Sequence, residues 1–266
     1  MSNYMFTANA VAAGGAFTYD GQRVVVPSLA SVTLSPSGGL GRAFELNYRT
    51  DALSFDSATT MVDGNETAPN EFVTESQVHI TGLEVLKRFR VKVLNVQVRS
   101  TRNLLDPFPE SRFTIKAQFE GIQFDNGPIV PEIDLSICSS SYDALGAAEI
   151  AELQQSAETQ PLVATRQADH VIGAPIHRSL VQSVFAPPGL AIAEQHRKNV
   201  VRVPGFANVH FGELIAKRGR RRVNLLRFEF GMPDPGGRNA PPALSPNSGS
   251  LTIASGDGNG EPIWPR

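Results

Sequence analysis

Five positive charges fall within six residues at Lys217-Arg218-Gly219-Arg220-Arg221-Arg222. A cluster this dense suits an anion, whether a nucleic acid, a lipid headgroup or the acidic face of a neighbour. The same residues on an edge hairpin would serve only to keep that edge from pairing with other chains. Nucleic acid fits less well. No aromatic side chains are interleaved with the cations, and the pI is near 6.2, whereas a basic domain is the usual footprint.

The histidines offer little to a metal. His79, His170, His177, His196 and His210 include no pair at the spacing of a helical metal site and no His-x-His on a strand. Asp169-His170 with His177 comes nearest to a ligand cluster. A metal-dependent hydrolase would need both imidazoles to converge with a carboxylate, since a site takes three or four ligands. Asp63-Gly64-Asn65-Glu66 and Asp257-Gly258-Asn259-Gly260-Glu261 alternate oxygen ligands like the start of a calcium loop. Neither continues into the required glycine and distal glutamate, so both are expected in turns. No Gly-x-Ser-x-Gly elbow, phosphate-binding loop or dinucleotide fingerprint occurs. Cys138 follows an apolar run and precedes three serines, which suits a small buried hydrophobe better than a nucleophile. No catalytic residue, cofactor site or metal site is therefore assigned.

The elements that must position these groups are mostly strands. Of 266 residues 41% are hydrophobic and only 19% charged, enough apolar material for a core and too little charge for a disordered chain. A single cysteine rules out an internal disulfide, and no apolar run is long enough for a membrane-spanning helix. Arg112 to Glu120 alternates, with Phe113, Ile115, Ala117 and Phe119 on one face, and the phase changes at Gly121, which predicts a bulge or bend. A second phase change at Leu94-Asn95 predicts another. Further strands are expected at the N-terminus, at Gln22 to Val26, Ser28 to Leu34, Ala43 to Tyr48 and Phe72 to Ile80, with Thr81-Gly82 as a link. Others fall at Pro131 to Cys138 (Ile133, Leu135 and Ile137 inward), Ser179 to Phe185, Val200 to Val203, Asn208 to Ala216 and Arg222 to Phe230. The last two flank the cationic turn as a hairpin.

Two segments break the β pattern. Ser141 to Glu158, rich in Ala, Leu, Glu and Gln behind a run of serines, is expected to be a helix. Pro188 to Lys198 is a weaker helix candidate, with cations at its C-terminal end. From Gly231 the chain is rich in Pro, Gly, Ser and Asn, so residues 231–266 are expected to form an extended arm anchored by Trp264, the only tryptophan. The N-terminal apolar stretch lacks a basic region before it and reads as a strand rather than a secretion signal, which makes the cytoplasm the default and surface or extracellular assembly the alternative.

Charge is segregated along the chain. Gly121 to Pro161 holds seven acids and no lysine or arginine, while Leu162 to Phe230 holds eleven bases against four acids, giving blocks of −7 and +7. Such blocks either pair, within or between molecules, or cover separate solvated faces.

Phe119-Glu-Gly-Ile-Gln-Phe-Asp-Asn-Gly-Pro-Ile129 and Val203-Pro-Gly-Phe-Ala-Asn-Val-His-Phe-Gly-Glu213 resemble the centre of the bacterial "choice-of-anchor P" type proteins. The resemblance covers about a third of the chain and implies an all-β domain, secreted or surface-displayed, with no catalytic residue to carry over. This chain departs from it by the Ser141 to Glu158 helix and by having no recognisable signal peptide or anchoring segment.

The expectation is an all-β antiparallel sandwich of jelly-roll type at residues 1–230, with a helical insertion at 141–158 and the arm at 231–266. Two functions from different classes fit. One is a non-enzymatic structural subunit that self-associates into a homo-oligomer through its charged faces and arm, using Lys217, Arg218, Arg220, Arg221, Arg222 and Trp264. The other is a binding module for an anionic or carbohydrate ligand. The metal-dependent hydrolase stands third.

Overall fold

The structure, a computed structural model, describes residues 4–106, 111–125, 127–155, 175–186, 190–192, 199–203, 205–230 and 248–262. Asp169, His170, His196 and Trp264 lie outside the described residues. In chain order the strands are β1 (Tyr4–Tyr19), β2 (Gln22–Thr33), β3 (Gly39–Arg49), β4 (Leu53–Ala68), β5 (Glu71–Val85), β6 (Phe89–Asn103), β7 (Arg112–Glu120), β8 (Gln123–Phe124), β9 (Gly127–Pro128) and β10 (Val130–Ile133). After helix α1 (Tyr142–Gln155) follow β11 (Ile176–Ser179), β12 (Val181–Phe185), β13 (Ala191–Ile192), β14 (Val200–Val203), β15 (Ala207–Lys217), β16 (Arg220–Phe230) and β17 (Ser248–Pro262).

These strands form an antiparallel sandwich. The first sheet runs β13-β14-β15-β16-β17-β1-β2, with β11 sharing the β15 edge with β14. The second runs β3-β4-β5-β6-β8-β9, with β7 also on β6, and β10 and β12 form a separate ribbon. Strands β1 and β17 pack across the interior on β4, β5 and β6. Inward alanines Ala8, Ala10, Ala12 and Ala13 keep this middle thin, and a β-carbon on Gly256 would come within 3.0 Å of Ser76 Oγ on the facing sheet. Toward one end the filling is aromatic: Phe17 stacks on Phe230 at 4.2 Å between ring centres, with Phe206 and Phe228 packed edge-on. Each large apolar side chain buried this way contributes on the order of 1.5–3 kcal/mol.

Two lines of residues cross the sheets and reverse the side-chain alternation. In the second sheet Asn47, Asp56, Gly82, Lys92 and Gly121 fall in one row across β3, β4, β5, β6 and the break between β7 and β8, while the pairs on either side keep a single register. In the first sheet Ala30, Ala12, Ala254, Leu225 and Gly212 form a like row across β2, β1, β17, β16 and β15, in one register except between β1 and β2, where the pairing shifts by one residue between Ala13 and Gly15. Every other member of each row is left-handed: φ is 53° at Asn47, 64° at Gly82 and Gly121, 41° at Ala30, 53° at Ala254 and 60° at Gly212. A left-handed residue turns the strand over without adding a residue, so the faces swap beyond it. The buried positions accordingly skip to Phe55 and Ala58, Ile80 and Leu83, and Val91 and Leu94 in the second sheet. In the first they double up at Ala12 and Ala13, Leu225 and Leu226, and Ile253 and Ala254.

Several sequence expectations are corrected. The phase changes near Gly121 and Leu94-Asn95 are real, but neither is a bulge, because β7 and β8 share one register on β6 and β6 stays in register with β5 throughout. Thr81-Gly82 lies inside β5, and the link to β6 is made at Leu86 and Lys87, both left-handed. Pro131 to Cys138 is strand only as far as Ile133. The Asp134 carboxylate accepts the Ser136 N–H at 2.8 Å and starts a short 3-10 turn at Ser136–Ser139, which leaves Leu135 exposed and buries Cys138. Within Pro188 to Lys198, Ala191–Ile192 pairs with β14 as strand, and residues 188–189 and 193–198 lie outside the described residues.

The largest correction concerns the arm. Ser248–Pro262 is extended, yet it is built into the first sheet between β16 and β1 with Leu251, Ile253 and Ala254 fully buried. This strand thus belongs to the sandwich, and residues 231–247 and 263–266 of the expected arm lie outside the described residues. The strand's glycines and serines suit it to a site where two sheets and two neighbouring strands approach closely. Of the helix expected over 141–158, Tyr142–Gln155 is helical as α1, its first turn capped by Ser141 Oγ at 3.1 Å from the Ala144 N–H, and residues 156–158 lie outside the described residues. Tyr142 and Leu145 seat it on Ile176 and Ala216.

Candidate functional site

The cationic hairpin forms between β15 and β16, with Gly219 left-handed in the turn. Alternation then divides its five cations. Lys217 is exposed at the strand end. Arg218 reaches Asp143 of α1 at 3.4 Å and lies over the Tyr142 ring, so the basic and acidic blocks meet within one molecule there. Arg221 points inward and is 2% exposed. It donates to the carbonyls of Lys217 (2.8 Å) and Ser140 (3.2 Å) and caps the Phe113 ring at 4.7 Å. That geometry ties the hairpin to the 3-10 turn and to β7, and it removes Arg221 from the set of surface anion contacts.

Arg220 and Arg222 point to the outer face and converge on Asp257 of β17, at 2.7 Å and 3.2 Å. Asp257 is 2% exposed. Its other oxygen accepts the Asn9 backbone N–H at 3.0 Å and the Asn9 amide at 3.1 Å, and Asn9 in turn accepts from Thr33 at 2.9 Å. The sequence places Asp257 and Asp63 in turns. Both lie in strands instead, and among the described residues no cluster of three or more His, Cys, Asp and Glu is placed to hold a metal.

Beyond the row of reversal a second network continues across the same face. Arg227 forms a two-pronged pair with Glu213, Nη2 to Oε1 at 2.7 Å and Nε to Oε2 at 2.9 Å, and Asn224 hydrogen-bonds to Glu213 as well. Burial alone would raise the Glu213 carboxyl, but Arg227 outweighs it and holds the group below the ordinary carboxylate range. The Arg227 guanidinium also donates to His210 Nδ1 at 3.2 Å. Since Nδ1 accepts there, the neutral ring carries its proton on Nε2 and donates it to Glu229 at 3.0 Å. Burial, and then the Arg227 charge, push the His210 pKa down.

Between these networks lies a trough. Because Ala12 and Ala13, and likewise Ile253 and Ala254, both turn inward, the outward positions stand three residues apart: Val11 and Gly14, Ser255 and Thr252, Asn224 and Arg227. The gap is lined by Val11, Gly14, Thr252 and Ser255 between Arg222 and Asn224 on one side and Ser28 on the other, and forms an open hollow of about 300 Å3. Sequence reasoning found the cations of this site and missed Asp257, Asn9, Asn224 and the trough. Nothing local signals them, since Asn9 and Asp257 are 248 residues apart.

A different feature marks the second sheet. Its edge strand β3 pairs only with β4 and exposes Leu40 at 59%, Phe44 at 73% and Leu46 at 59%, all on one face. The first sheet's edge, β2, carries Pro27 in its middle, a residue that blunts an edge. Strand β3 has neither proline nor lysine. Beside it on β4 and β5, Thr59, Met61, Gln77 and the half-buried His79 line a shallow hollow. His177 sits exposed on β11, opposite Ile215.

The architecture is thus an antiparallel β-sandwich with a charged network on the outer face of the first sheet and an apolar stripe on the edge strand of the second. A family model for a domain of unknown function, DUF8256, matches residues 4–172, more than half of the chain, and the protein belongs to that family. The matched span carries all of the second sheet but only β1 and β2 of the first. No curated protein and no solved structure matches the chain. Among the described residues no helix is long and apolar enough to cross a membrane.

Proposed function

We propose that this protein is a non-enzymatic structural subunit that self-associates, and that copies join at β3. One observation carries the reading: an eleven-residue edge strand with open backbone donors and acceptors and a stripe of Leu40, Phe44 and Leu46 on its outward face. Natural sheets blunt such edges unless the edge is used. The occupant we favour is a second copy, because the stripe is self-complementary about a two-fold axis at Ala43. Antiparallel pairing there sets Leu40 against Leu46 of the other copy and Arg42 against its Phe44, whereas an axis at Arg42 would oppose like charges. The charged faces contribute less, since Arg218, Arg220 and Arg222 are already paired within the molecule.

The test is the molar mass of the intact chain in solution across a concentration series, beside Phe44→Lys and Leu46→Lys. The expected result is a dimer or larger species that either substitution reduces to a monomer with an unchanged far-UV spectrum. A wild-type monomer at every concentration overturns the reading.

A further inference from the structure

We propose that the trough on the outer face of the first sheet binds an acidic sugar, a hydroxylated ring carrying a carboxylate, with Arg222 as its anion contact. The argument begins with charge. Asp257 is shared by two guanidiniums, Arg220 and Arg222, so the cluster keeps one net positive charge. Arg222 is the more open of the two, with its side chain 47% exposed. It holds Asp257 through Nε and Nη2, and among the described residues its Nη1 donates to nothing. Asp257, itself fixed by Asn9, thereby presents a pre-oriented guanidinium to solvent, the geometry that suits a carboxylate.

The remaining surface of the trough is rich in hydroxyl and amide groups. Ser28, Thr252, Ser255 and Asn224 line it, with Val11 and Gly14 setting its depth. From Ser28 on β2 to Asn224 on β16 the trough crosses three inter-strand steps of about 4.8 Å, roughly 14 Å in all, and its volume of about 300 Å3 is at the lower end for a ligand site. Among the described residues no aromatic ring lines it. Stacking on a neutral sugar is therefore absent, and recognition falls on hydrogen bonds to ring hydroxyls plus the single charge. The trough exists because of the row through Ala12 and Ala254. Regular alternation would place an outward side chain every second residue and close it.

The experiment is calorimetric titration of the full chain with digalacturonate, beside neutral galactobiose and acetate. Digalacturonate is expected to bind, and the two controls are not. Arg222→Gln is expected to weaken binding by about tenfold or more. Thr252→Phe, which fills the floor without touching the Asp257 cluster, is expected to abolish it with an unchanged circular dichroism spectrum. Phe44→Lys, remote from the trough, is expected to bind as wild type does, so failure of the assembly reading and failure of this one are separable. The proposal is overturned if digalacturonate gives no heat, if acetate binds as well as digalacturonate, or if Thr252→Phe binds like wild type.

Discussion

The Asp56 carboxylate occupies the space that a β-carbon on Gly82 would fill, and Gly82 is itself left-handed at φ 64°. The two residues face each other on β4 and β5 within the row that reverses the second sheet. Lys92 and Gly121 repeat the arrangement two strands along, the Lys92 stem lying over the glycine. The row therefore demands glycine twice over, for backbone angle and for space.

Gly82→Ala is expected to destabilise the fold by about 2–3 kcal/mol, combining a left-handed penalty of about 1–2 kcal/mol with displacement of Asp56. Adding Asp56→Ala should restore the part due to crowding, because the Arg49–Asp56 pair it removes is exposed and worth little. Urea unfolding of both variants measures this. A single variant as stable as wild type would show that the row is not a constraint.

Asp257→Asn leaves Arg220 and Arg222 facing a neutral, buried amide. The expected loss is about 1.5–3 kcal/mol, the scale for hydrogen bonds to a charged group, because the two guanidiniums are themselves partly exposed. Chemical denaturation at neutral pH reads it out, and a change under 1 kcal/mol (~1) would mean that solvent already satisfies the two guanidiniums.

Acid should weaken the β15–β16 region. His210 has a lowered pKa in the folded state, so below the ordinary histidine value of about 6.5 the unfolded chain takes up protons that the folded chain refuses. Its contribution is present in full above that value and is lost as pH falls through the folded pKa. Glu213, also lowered, adds a further loss at more acid pH, again on the falling side. The melting temperature should decline from neutral pH downward, and His210→Gln should flatten the part of that decline nearest pH 6, about where histidine titrates. An identical slope in the variant would refute the assignment.

Cys138 should be silent toward thiol reagents in the native protein. Burial first, and then the Asp134 charge, push its thiol up to about 12. Labelling by a disulfide reagent is expected only as the chain unfolds, in step with the loss of circular dichroism; rapid labelling of folded protein at neutral pH would contradict the burial.

How far these features were legible depends on the range of the interaction behind them. Phe113, Ile115, Ala117 and Phe119 announce their strand because alternation is local. The 217–222 hairpin and the helix capped by Ser141 follow equally from neighbours in sequence. The phase changes near Gly121 and Leu94 were visible too, but only as breaks. That they belong to one line with Asn47, Asp56 and Gly82 depends on the register of five strands. The site was legible in part: Arg220 and Arg222 stand out as cations, while Asp257 looked like a turn residue in a Gly/Ser/Asn-rich tail.

By itself the sequence determined that this is an antiparallel β protein with one inserted helix and a cationic hairpin, because periodicity, caps and turn chemistry act over a few residues. Only the tertiary structure decided that Ser248–Pro262 is an inner strand rather than an arm, that Arg221 is buried while Arg222 faces the trough, and that Asn9 meets Asp257. Strand pairing sets those relationships. It matches backbone to backbone across any separation in the chain, and composition carries no record of which strands lie side by side.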